Sequence, residues 1–153
     1  MSARASSVIL LLIGLVVNLA GGWPAQQEDP PAVSGFYTEP QLIELLTKVF
    51  AWPAYEKLVF ITASGQVFTF GSGEEKRVTI DLLDIIETLS RKGESLGTAT
   101  NIIHNHTRGV DFSLPDIATC GALRKRGFTG AFQLFYPQTR RIKTLKRRNY
   151  ARA

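Results

Sequence analysis

His104 and His106 are the only histidines in the chain, and they stand two residues apart. An apolar pair, Ile102-Ile103, leads into them and reads as the end of a strand. Side chains at i and i+2 of an extended strand point to the same face, so both rings can reach one point in space. A polar loop with Gly109 follows, and Ser113-Leu-Pro-Asp116 then opens a helix. Two imidazoles and a carboxylate converging near a strand end form a three-ligand set suited to zinc. The fourth position stays open for water, as catalytic zinc requires. A plainer reading competes. Ser113 and Asp116 also fit the S-x-x-[DE] capping box, with Pro115 allowed in the first turn, and a cap needs no metal.

The rest of the chain supplies elements that can position these groups. Thr38-x-x-Gln41 is a capping box, and Leu42, Leu45, Leu46, Val49 and Phe50 fall on one stripe of the helix it opens. Trp52-Pro53 ends that helix. Residues 55–62 form a largely apolar strand, Ser64-Gly65 a hairpin turn, and 66–70 the partner strand. A second helix is expected from Thr79 to about Arg91, with Ile80, Leu83, Ile86 and Leu89 facing inward and Lys92-Gly93 closing it. Residues 98–104 make the strand that carries the histidines. The third helix runs from Ser113 to about Arg126, with Ile117, Cys120 and Leu123 on its inner stripe. Residues 130–136 and 141–145 form a closing hairpin around Pro137-Gln-Thr139. Helices interleaved with hairpins imply an α/β domain, a mixed sheet flanked by helices.

A length of 153 residues suits one domain, and the single cysteine excludes an intrachain disulfide. Residues 1–25 follow the order of a secretory signal: Arg4, an apolar run over 8–17, then Ala20-Gly21-Gly22 and Ala25. That run is shorter than the roughly 20 residues of a membrane span. The expected location is periplasmic or secreted, or membrane-anchored where the leader stays uncleaved. Residues 26–36 read as a Pro-rich linker, 37–145 as the domain and 146–153 as a basic tail. The formal charge of +5 is concentrated in that C-terminal stretch, where Arg140 to Arg152 includes no acid. Such a tail suits contact with an anionic surface. Tyr150 is its only aromatic, which argues against a stacking platform for nucleic acid.

The string His104-x-His106 followed by Ser113-x-x-Asp116 resembles the JAB/MPN (JAMM) zinc metallopeptidases, most closely the RadC-like branch with its His-Asn-His. The resemblance spans about 37–145. It implies a layered architecture like that of cytidine deaminases, with Zn2+ on His104, His106 and Asp116, an oxyanion contact from Ser113, and a glutamate from an earlier strand as general base. Glu56 is the candidate base, because it opens the first sheet strand and similar proteins carry the catalytic glutamate just before that strand. The family spacing is H-x-H-x7-S-x2-D. This chain has six residues between His106 and Ser113, and Thr107 where proline is usual. The implied activity is that of an exported zinc-dependent metallopeptidase, hydrolysing a peptide or isopeptide amide of a protein substrate through a metal-activated water. The alternative is a non-catalytic MPN-like binding module. The shortened loop favours that module; the survival of every ligand type opposes it. Cys120 lies one turn beyond Asp116 and reads as a small buried residue ahead of a further ligand, and Arg108 as a solvated charge ahead of a substrate contact.

Overall fold

A computed structural model of the protein describes residues 10–12, 36–51, 55–72, 79–106 and 111–146. Most of the expected leader, nearly all of the linker, Arg108 and all of the basic tail but Lys146 lie outside these residues. The elements run β1 (Leu10–Leu12), α1 (Glu39–Val49), β2 (Leu58–Thr62), β3 (Val67–Phe70), β4 (Thr79–Asp81), α2 (Leu82–Ser90), β5 (Ala99–Asn105), α3 (Leu114–Arg124), β6 (Ala131–Tyr136) and β7 (Arg141–Thr144). The mixed α/β class expected from the alternation of periods is what the chain adopts. Five strands form one sheet in the order β3-β2-β5-β6-β7, and β1 pairs antiparallel with β4 apart from it. Among the described residues no helix is long and apolar enough to cross a membrane.

β5 is the central strand, and its position follows from its composition. It is buried along nearly its whole length, as a strand covered on both faces must be. It pairs antiparallel with β2, from Leu58↔His104 to Thr62↔Ala99, and parallel with β6, from Asn101↔Ala131 to Asn105↔Phe135. A parallel pair needs a crossover, and α3 supplies it. The alternation of β5 then assigns its two faces. Ile103 packs with Leu42, Leu46, Phe50, Val59 and Phe135 under α1. Ile102 packs with Leu58, Phe60, Leu89, Leu123 and Phe132 under α2 and α3. By the same alternation, His104 and His106 point to the α3 side.

Two expectations need correction. The second helix begins at Leu82 rather than Thr79, because residues 79–81 pair as β4 and Asp81 caps the helix, accepting from the Leu83 N–H at 2.9 Å. Its buried stripe is Leu82, Ile85 and Leu89, whereas Leu83 is half exposed and Ile86 only partly covered. Leu82-Leu83 and Ile85-Ile86 are both apolar doublets, so periodicity alone supports either phase. Strand β2 begins at Leu58 rather than at position 55. At the far end of the sheet Glu94 takes hydrogen bonds from Thr62, Ser64, Gln66 and Thr98, which ties the β2–β3 turn to the entry of β5. Those hydroxyl contacts hold its carboxyl below the usual range.

Candidate metal centre

β5 ends with its histidines on the face that α3 covers, and α3 begins with a cap that aims a carboxylate back at them. Ser113 is the N-cap of α3 in extended geometry. Its Oγ accepts from the Asp116 N–H at 3.3 Å, and Asp116 Oδ2 accepts from the Ser113 N–H at 2.6 Å. The capping box and the ligand set are therefore compatible: the cap fixes the rotamer that points Asp116 inward. Accepting through Oγ leaves the Ser113 hydroxyl proton available to donate.

The convergence expected from the sequence is present. Asp116 bridges the two rings, with Oδ1 at 3.2 Å from His104 Nε2 and Oδ2 at 3.3 Å from His106 Nε2. The two Nε2 atoms stand 3.2 Å apart. His104 and Asp116 are fully buried, and His106 is 6% exposed. Phe112 and Phe132 rings lie 6.1 and 5.5 Å from the His104 ring and keep that side dry.

These atoms suit a cation. Ligand atoms about 2.0 Å from a tetrahedral ion stand about 3.3 Å from one another. The two Nε2 atoms, 3.2 Å apart, match that spacing, and each ring has its own Asp116 oxygen at 3.2 or 3.3 Å. Asp116 Oδ1 is buried, with His104 Nε2 at 3.2 Å as its charge-compensating neighbour among the described residues. One ligand atom from each of the three residues lies within 4.8 Å of the others. His104 Nδ1 is buried with no hydrogen-bond partner among the described residues. Burial pushes the Asp116 carboxyl up, but the two imidazoles and the Ser113 N–H pull it further down, well below the usual carboxylate range.

Glu56 precedes β2, and the β2–β5 register carries it toward His106: Leu58 opposes His104, and the chain continues outward from that pair. It is 7% exposed. Burial raises its carboxyl to about 6, with the neighbouring Asp116 charge adding to the rise and His106 opposing it. Lys57 points the other way and donates from Nζ to the Val49 carbonyl at 3.2 Å. Cys120 belongs to the apolar core beside Ile102 and Leu123. Two further residues had no role assigned from the sequence. Asp111 is held below its usual range, first by the hydrogen bond from the Lys143 ammonium and least by His106. Asn105 contacts the segment that carries Glu56. No protein-family model matches the chain, and no curated protein matches it.

Proposed function

We propose that the chain is a zinc-dependent hydrolase of the JAB/MPN kind, acting on a peptide or isopeptide amide of an extracytoplasmic protein substrate. The observation that carries this reading is the buried convergence of His104 Nε2 and His106 Nε2, 3.2 Å apart, on the two oxygens of Asp116 at 3.2 and 3.3 Å, with the buried Glu56 carried toward His106 by the β2–β5 register. His104, His106 and Asp116 would hold the ion. When bound, zinc supplies Lewis acidity, drawing the pKa of water toward about 7 and polarising a carbonyl. Glu56 takes a proton from the attacking water and delivers it to the departing amine. A carboxylate within reach of the water is the group type that such an exchange needs. Ser113 donates its hydroxyl proton to the oxyanion that develops on the substrate. Loss of one such donor typically costs about 100-fold or more. Phe112 and Phe132 exclude water from the His104 side.

The test is turnover of the full chain, loaded with zinc, on a panel of fluorogenic peptide and Lys-linked isopeptide amides. Glu56→Gln is expected to keep its zinc and lose cleavage. Cleavage at the wild-type rate in that variant would remove Glu56 as the base. A wild-type chain that binds zinc tightly and cleaves nothing would favour the non-catalytic binding module.

A further inference from the structure

We infer that Asn105, the residue between the two histidines, is a positioning residue that holds Glu56 against the metal site. This rests on the hydrolase reading above. The β2–β5 ladder ends at the pair Leu58↔His104, and residues 55–57 run on beyond it without strand pairing. Asn105 alternates to the face opposite the histidines and is completely buried. Its carboxamide continues the ladder where the backbone stops. Oδ1 accepts from the Lys57 N–H at 2.8 Å, and Nδ2 donates to the Tyr55 carbonyl at 3.1 Å.

The two contacts straddle Glu56. One side chain thus fixes the backbone on both sides of the candidate base, while its neighbours in sequence hold the ion. Lys57 Nζ on the Val49 carbonyl adds a third tie to the same segment. The splint needs a donor and an acceptor on two separate atoms of one short planar group, which the carboxamide of asparagine supplies. Tyr55 is more than a third exposed, so one end of the segment faces solvent. Unpaired backbone of that kind opens locally at little cost unless something pins it. Misplacing a reacting group by about 1 Å can cost about 100-fold in rate, so pinning here bears directly on proton transfer.

The experiment uses the full chain loaded with Co2+, with isotope labels that resolve the Lys57 amide and the Glu56 side chain. Cobalt uptake, Lys57 amide exchange and the paramagnetic broadening of the Glu56 carboxyl carbon are read in wild type, Asn105→Ala and Asn105→Asp. Asn105→Ala is expected to take up cobalt as wild type does, to exchange the Lys57 amide at least about tenfold faster, and to lose most of the Glu56 broadening. Asn105→Asp keeps the acceptor but not the donor. It should protect Lys57 while losing part of the Glu56 broadening. Normal cobalt uptake with unchanged Glu56 broadening in Asn105→Ala overturns the inference and leaves the hydrolase reading intact. If that variant does not fold, the Asn105→Asp broadening decides in the same way. A wild-type chain that takes up no cobalt ends the metal reading, and the inference with it.

Discussion

Glu56 is a carboxyl that the fold keeps partly protonated near neutrality, and this has a thermodynamic sign. Its folded value of about 6 lies above the ordinary 4.5 because burial penalises the charged form. Below 4.5 the group is protonated in folded and unfolded chains alike, and its burial carries no ionisation cost. As pH rises through that window the unfolded chain ionises first, so this contribution to stability falls and stays lost above about 6. In the metal-free chain, Glu56→Gln should therefore raise stability at pH 8 by on the order of 1–2 kcal/mol and change it little at pH 4.5. Urea denaturation in the presence of a chelator checks both values. A gain that is equal at the two pH values would show that ionisation is not its source. Asp116 has the opposite sign. Its depressed carboxyl contributes stability above its usual range that is lost on acidification, because the imidazoles and the Ser113 N–H stabilise the charged form. The same cluster thus sets a carboxyl held above its ordinary range beside one held below it.

The crossover from β5 through α3 to β6 is the element on which the site depends, and a glycine sets how closely its strands approach. A Cβ on Gly130 would stand 2.2 Å from the Thr100 carbonyl oxygen, far inside contact distance. Gly130→Ala is expected to push β6 from β5 and to cost about 1–3 kcal/mol or more. A lowered denaturation midpoint with an unchanged slope checks this, and wild-type stability would show that the strands can part without loss. Much of this arrangement was legible in the sequence. The strand–helix order follows from apolar runs and capping signals, and the i, i+2 spacing of the histidines with Ser113-x-x-Asp116 predicted their convergence. The phase of α2 was not legible, because Leu82-Leu83 and Ile85-Ile86 offer two equivalent stripes and only packing against the sheet chooses between them. Nor was the role of Asn105. A side chain that bonds the backbone 48 and 50 residues away is specified by strand register, which no local pattern encodes.

At the scale of the whole molecule, the contacts of His104 and His106 with Asp116 tie β5 to α3 and thereby the middle of the sheet to its covering layer. An ion that binds the folded chain and not the unfolded one stabilises it by mass action, about 2.7 kcal/mol when free metal is 100 times Kd. Zinc is therefore expected to raise Tm and a chelator to lower it. In His106→Ala neither should act, because one of the two Nε2 atoms that converge on Asp116 is gone. The decisive measurement is the zinc content of the purified full chain, read alongside Tm before and after chelation. The expected result is one zinc ion per chain, a Tm that falls on chelation and recovers on re-addition, and loss of both responses in His106→Ala. A wild-type chain that carries no zinc, takes none up, and melts at the same temperature with and without chelator would contradict the metal centre, and with it the hydrolase.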